Sequence, residues 1–213
     1  LHENVIDLLA KNKSKQNEEA TKGYFEYSQA LWKELTSKVP NIENFNVRVF
    51  MQDEFAVYRP ISLFLCPLYH RQISSPSLAL RFVSLFEYEG AKLIKKDFLP
   101  SFTFGLLDGV KSRKFAAFFL CSCLLGFNLD AYVVCGLSSE GEHFWVLTLS
   151  QNGSKIEGHF WEPIKGMKIP LGDPKVHYLY RKIGMLISPG ALHINLNSES
   201  VAAKTSFDFS KKT

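Results

Sequence analysis

The chain has 213 residues, 46% of them apolar, with a formal net charge of +4 and a pI near 8.8. That length holds one domain or at most two small ones, and the apolar content is ample for a packed core, which excludes a disordered chain. The charge excess is mild: the lysines of "KNKSK", "LIKKDF", "VKSRK" and "FSKKT" lack the aromatic interleaving of a single-strand binder, so they read as solvated faces and ends, and no nucleic-acid partner is expected.

In chain order, the sequence starts at Leu1 rather than methionine and is read as part of something longer. Residues 1–45 read as a helical lead-in. "HENVIDLLAKN" places Val5, Ile6, Leu8 and Leu9 in a short amphipathic pattern, "KSKQNEEATKG" is polar, and "YFEYSQALWKEL" offers Phe25, Leu31, Trp32 and Leu35 for one face, ending near Pro40. From "FNVRVFM" the pattern turns to β, with Phe45, Val47 and Val49 alternating against polar neighbours, so a second domain is expected over residues 46–213. In "SSPSLALRFVSLFEYE", Ser75 is a candidate N-cap and Pro76 a first helical residue, ahead of Leu78, Leu80, Phe82, Val83 and Phe86. The Pro and Gly of "DFLPSFTFGLLDG" predict a loop.

Next comes a predicted helix over Arg113–Leu125 whose only polar side chain between Phe115 and Leu125 is Ser122. Apolar all round, it belongs in the middle of a fold. Its apolar run, Phe115 to Phe127, is too short for a bilayer, which takes about 20 residues, so no membrane span is expected. "DAYVVCG", "HFWVLTL", "KIEGHFWEP", "YRKIGMLI" and "LHINLN" read as strands. A central helix followed by an antiparallel meander is an α+β arrangement.

The pair Asn152-Gly153 predicts a two-residue hairpin turn. Counting back from it, Gln151 faces Ser154, Thr148 faces Glu157, Trp145 faces Phe160 and His143 faces Glu162, unless a bulge at Gly158 shifts the register. An imidazole opposite a carboxylate reads in two ways: an ordinary cross-strand polar pair, or the base and orienter of a catalytic site. A nucleophile for such a base belongs at a helix N-terminus, where the dipole lowers a thiol's pKa. The helix start "VKSRKFAAF" holds no cysteine, and Ser112 is its only hydroxyl. Cys121, Cys123 and Cys135 read as core residues, and Cys66, ahead of Pro67, has no base near it. Thiols so placed point to a reducing, intracellular setting. No Cys/His spacing suggests zinc, and neither a metal nor a cofactor is expected. His70, His159, His177 and His193 read as surface, loop or strand residues, and Trp145 and Trp161 as packing in or beside a cleft.

The order central helix, strand, "H-x-W-V" strand, then a strand ending in a carboxylate before proline resembles the transglutaminase-like, papain-type fold. More narrowly, "YRPISLFLCPL", "SSPSLALRFVSLFEYE", "FLCSCLLGFNLDAYVVCG", "HFWVLTL", "FWEP" and "YLYRKIGMLI" resemble the centrosomal protein 76 family, over residues 46–213. The resemblance implies a central buried helix packed on an antiparallel sheet, with the fold's Cys, His and Asp positions falling on Arg113, His143 and Glu162. Arginine stays protonated and is no nucleophile, so a pseudoenzyme is implied. It would be a scaffold domain of the cytoskeleton, at the centrosome, centriole or cilium base. It would bind a protein or peptide, acidic or extended, in a cleft of Arg113, Lys114, His143, Trp145 and Glu162. Arg113 would pair with Glu162 or stand free for an acidic group. Two other readings stand beside it. One is an enzyme with a displaced nucleophile, Cys121 or Ser112, using His143 as base and Glu162 as orienter. The other is a purely structural domain whose contacts lie elsewhere.

Overall fold

The computed structural model describes residues 22, 23, 25–30, 32–34, 37, 49–86, 97–107, 112–152, 155–195 and 202. The chain divides into two compact units, Leu1–Ile42 and Glu43–Thr213. In the first, the described residues are helical, with Phe25 and Trp32 half-buried and Ser28 buried. The pattern at Val5, Ile6, Leu8 and Leu9 lies outside the described residues, as do Leu31, Leu35, Phe45 and Val47.

The second unit opens with a small hairpin, β1 (Phe50–Gln52) and β2 (Tyr58–Pro60), followed by a 3-10 turn over Ile61–Phe64. Val49, expected in a strand, is a bend whose carbonyl accepts from the Ile61 amide. Three helices follow: α1 (Pro76–Ser84), α2 (Phe102–Leu107) and α3 (Arg113–Gly126). The cap read at Ser75 is real, its Oγ accepting from the Leu78 amide; Ser112, read only as the hydroxyl of its helix start, is also a cap, its Oγ accepting from the Phe115 amide. The helix α2 corrects the expected loop at "DFLPSFTFGLLDG". Gly105 there is not a turn residue: a Cβ on it would run into the Phe115 ring, so the glycine lets α2 lie directly on α3.

The sheet contains β3 (Asp130–Ser138), β4 (Gly141–Asn152), β5 (Lys155–Glu162), β6 (Met167–Pro170), β7 (Tyr180–Ile187) and β8 (Leu192–Ile194), with a short helix α4 (Lys175–Leu179) before β7. Its order is β6-β5-β4-β3-β7-β8, with every neighbouring pair antiparallel. Neither β6 nor α4 was expected from the pattern, and His177 lies in α4 rather than in a loop.

Strand periodicity sorts the sheet into two faces. Val133, Cys135, Phe144, Val146 and Trp161 join the core around α3, while Val134, Trp145, Leu147 and Phe160 join a second core with Val176, Tyr180 and Ile183. Every α3 residue from Phe115 to Leu124 is buried. The side away from the sheet carries an aromatic seam in which Phe102 meets Phe119 edge-on at 5.3 Å and Phe115 stacks on Phe119 at 6.0 Å. Ser122, the one hydroxyl in the buried run, is accounted for: its Oγ accepts from the Cys66 amide at 3.4 Å, and its carbonyl from Leu68 at 2.8 Å.

The β4–β5 register differs from the one counted off Asn152-Gly153. Asn152 pairs with Lys155, Thr148 with His159 and Leu147 with Phe160. The ladder runs through Gly158 without a bulge, setting it opposite Leu149, where the Leu149 and Leu171 side chains fill the space a Cβ would need. The slip is two residues, so every side chain keeps its predicted face.

Asp53 fixes the β1–β2 turn. Its carboxylate accepts from the Phe55 amide (3.0 Å), the Val57 amide (2.9 Å) and Arg59 Nε. Burial pushes the Asp53 pKa up, but Arg59 and the two amides outweigh it and hold the group below the ordinary carboxylate value. A depressed folded-state pKa means stability that is fully present above the unfolded value of about 3.9 and lost as pH falls through the folded value. Asp53→Asn should therefore cost about 2 kcal/mol at pH 7, and the gap from the parent should close as pH is taken from 5 to 2. Urea midpoints over that range check this; a gap that stays constant with pH would assign the loss to shape rather than charge.

Candidate functional site

The side chains that come together lie on three strands of the second sheet face. β4 supplies His143, the end of β5 supplies Glu162, and the first residue of β7 is Tyr180. All three are buried, at 8%, 4% and 1% exposure. His143 Nε2 lies 2.7 Å from Glu162 Oε2, and the Tyr180 hydroxyl donates to the same oxygen at 3.1 Å. The other carboxylate oxygen accepts from the Ile164 amide at 3.4 Å. Burial, followed by the charge and hydrogen bond of Glu162, pushes the Tyr180 pKa well up, so the phenol keeps its proton as the donor.

His143 and Glu162 do not face each other directly, as the turn count predicted. The observed register makes them diagonal neighbours on one face, and long side chains close the gap. An ionised carboxylate only accepts, so Nε2 is the nitrogen that donates to it, and in the neutral imidazole Nδ1 is then the acceptor. Nδ1 is buried and has no hydrogen-bond partner among the described residues, and the same holds for Trp145 Nε1. Trp145 is fully buried beneath the pair, stacked on His143 at 5.8 Å and on Tyr180 at 4.4 Å. Gly136 makes room for it, because a Cβ there would meet both the indole and the Lys182 carbonyl. Trp145 thus supports the imidazole from below and does not form the edge of a cleft, which corrects the expectation for it.

Beside the pair is a small cavity of about 40 Å³, lined by Arg113, Ser139, Glu140, His143, Glu162 and Lys165 among others. Of the helix-start residues, Arg113 lines it while Ser112 and Lys114 do not. The Arg113 guanidinium is paired with Glu140 at 3.2 Å, both side chains more than half exposed, so the expected Arg113–Glu162 contact is replaced by one across the β3–β4 turn. Lys114 turns to the other sheet face, with Nζ near the Phe98 carbonyl and 5.8 Å from the centre of the Phe144 ring. Ser112 is occupied as the α3 cap.

The thiols sit elsewhere. Burial pushes the Cys123 thiol up to about 12 and Cys121 higher still, Cys135 is buried, and Cys66 is exposed. Among the described residues, no three His, Cys, Asp or Glu side chains form a group that could hold a metal ion. Tyr180 is the member that sequence reasoning missed. "YLYRKIGMLI" marks a strand, but nothing in its spacing says that β7 returns beside β3 and delivers its first side chain to Glu162. Chemically, the arrangement is a fixed imidazole whose free nitrogen accepts a hydrogen bond or a proton, next to exposed cations.

The carboxylate serves two buried donors, so its removal should be felt in stability. Glu162→Ala leaves the Tyr180 hydroxyl and the His143 Nε2–H unpartnered, at about 1–3 kcal/mol each, whereas Glu162→Gln keeps an acceptor oxygen and should lose less. Chemical denaturation of the two variants reads the difference; equal midpoints would mean that the donors find other partners.

Residues 111–213 match the family described as the CEP76 peptidase-like domain. Over 205 residues the chain is 30% identical to Centrosomal protein of 76 kDa from Xenopus laevis and 28% identical to the proteins of that name from Mus musculus and Homo sapiens. In each case the similarity covers 88% of this chain and 31% of the relative, so the chain spans about a third of the length of these proteins. A buried central helix against an antiparallel sheet fits the transglutaminase-like, papain-type α+β fold expected of such a domain. The chain therefore resembles the centrosomal protein 76 family along most of its length and matches that family's peptidase-like domain over residues 111–213.

Proposed function

We propose that the chain is a non-catalytic, protein-binding part of a centrosomal or ciliary scaffold, with residues 46–213 as the binding domain and residues 1–45 as a helical lead-in. The observation that carries this is the composition of the cavity beside His143. Where the papain-type fold offers a helix-start thiol, this helix start offers Arg113, whose guanidinium is no nucleophile. Supporting it, the four thiols are either buried, as Cys121, Cys123 and Cys135 are, or exposed, as Cys66 is, and none of them lines the cavity at His143. The relatives' name, Centrosomal protein of 76 kDa, supports a place at the centrosome, centriole or cilium base.

The chemistry of the rim indicates what such a cleft would take. Arg113 and Lys165 are exposed cations, and an acidic segment that displaces Glu140 from Arg113 gains a charge-assisted contact. Lys114 and Trp145 stay out of this rim, one turned toward Phe144 and the other below the imidazole.

A second reading, a hydrolase, has one observation in its favour: an imidazole oriented by a carboxylate with its other nitrogen bare. Two serines of the β3–β4 turn line the same cavity: Ser138, whose Oγ accepts from the Glu140 amide, and Ser139, which is exposed.

Two experiments separate these readings. Iodoacetamide labelling between pH 5 and 9, followed cysteine by cysteine, should modify Cys66 and spare Cys121, Cys123 and Cys135, with no change in His143→Ala. Fast labelling of a helix thiol that disappears in His143→Ala would restore the enzyme. For binding, fluorescence anisotropy with an octaglutamate peptide should show Arg113→Glu weakened about fivefold, the scale of an exposed ion pair. If Arg113→Glu and a combined Arg113, His143 and Glu162 variant both bind like the parent, recognition belongs to another surface.

A further inference from the structure

On the helical side of the domain, away from the imidazole, a groove of about 490 Å³ runs between α1, α2 and the segment around Leu68 to Ile73. It shares no lining residue with the cavity at His143. Its walls are apolar, with Leu68, Ile73, Phe82, Leu85, Phe102 and Leu106 around a floor at Phe119. Several of these face solvent: Leu85 is 72% exposed, and Tyr69 at the rim 76%. Apolar side chains held this far out of the core, side by side along one groove, mark an interaction surface rather than scattered surface residues.

The groove's own backbone narrows the kind of occupant. The Leu68 amide donates to Ser122 O, the Gln72 amide to His70 Nδ1, the Ile73 amide to His70 O, and the Leu85 amide to Phe82 O. On the helices, the Leu78 amide donates to the Ser75 cap and those of Phe82 and Leu106 are spent inside α1 and α2, leaving only the first-turn amides of Phe102 and Thr103 without an intrahelical acceptor. An extended strand laid here would find few backbone partners for its own amides and carbonyls. A helix brings its backbone bonds with it and shows the groove only side chains. Charge narrows the choice further: the lining contains Arg81, Arg71 is adjacent to its Tyr69–Gln72 side in sequence, and among the described residues no aspartate or glutamate lines the groove.

We infer that this groove docks an amphipathic α-helix of a partner protein, with an apolar stripe flanked by glutamate or aspartate on the side that meets Arg81. α1, nine residues long, spans about 13 Å, so the matching stripe covers roughly two turns with anchors at i, i+4 and i+7. The anchors fill the space between Phe82, Leu85 and Leu106, and the carboxylate pairs with the Arg81 guanidinium at the groove's edge.

The test uses the full chain and two synthetic 16-residue helical peptides with one leucine stripe, one flanked by glutamates and the other by lysines, read by fluorescence anisotropy. The glutamate peptide should bind saturably and at least about fivefold more tightly than the lysine peptide, and Arg81→Glu should reverse that order. Leu85→Asp, at an exposed site that leaves the core intact, should abolish binding of both, with an unchanged melting curve as the folding control. Equal affinity for the two peptides, or no saturable binding of either, overturns the inference. So does sedimentation that finds a dimer in the parent and a monomer in Leu85→Asp, because the groove would then belong to a second copy of this chain.

Discussion

A helix with no polar face must be enclosed on every side, and most of this domain follows from enclosing α3. One side is taken by the sheet through Val133, Phe144, Val146 and Trp161, the other by α1, α2 and the segment crossing at Ser122. Each covering element has a specific device for coming close. Gly105 lets α2 lie against the Phe115 ring, and Gly126 lets the Leu68 backbone cross the end of the helix, where any Cβ would collide with it. Burial of so many Phe and Leu side chains is the main favourable term in the fold, and these close approaches turn it into one packed arrangement.

The ionisable cluster depends on that enclosure only indirectly. His143, Glu162 and Tyr180 belong to the opposite sheet face and are held by a second core around Trp145 and Phe160. A carboxylate taken this far from water is tolerated because both of its oxygens accept hydrogen bonds. Arg113, by contrast, stands in solvent at the first turn of α3 with an exposed partner. The rigid part of the site is therefore the part that would orient a base, and the adaptable part is the arginine.

The helices at Pro76 and Arg113 are legible in the sequence because their signals are local: a serine cap, a first-turn proline, an apolar run. The meeting of His143 with Glu162 was also legible, though for a looser reason than the turn count supposed. A slip of two residues preserves the face, so parity held where register did not. What stayed hidden depends on contacts distant in the chain. Gly105 signals a turn unless Phe115 is known to lie on it, Tyr180 joins the pair only through the return of β7 beside β3, and Arg113 finds Glu140 only because the β3–β4 turn ends near the start of α3.

The sheet's margins constrain how other chains can approach. β6 is four residues long and ends in Pro170, which has no amide proton to offer, while β8 is three residues long. A third margin, the hairpin of Phe50–Gln52 with Tyr58–Pro60, is equally brief and also closes on a proline. Brief, proline-ended margins are how β proteins avoid templating unwanted strands. Two copies of this domain have little backbone edge through which to zip together, so contacts between it and other chains fall to side chains rather than to a shared ladder of peptide bonds.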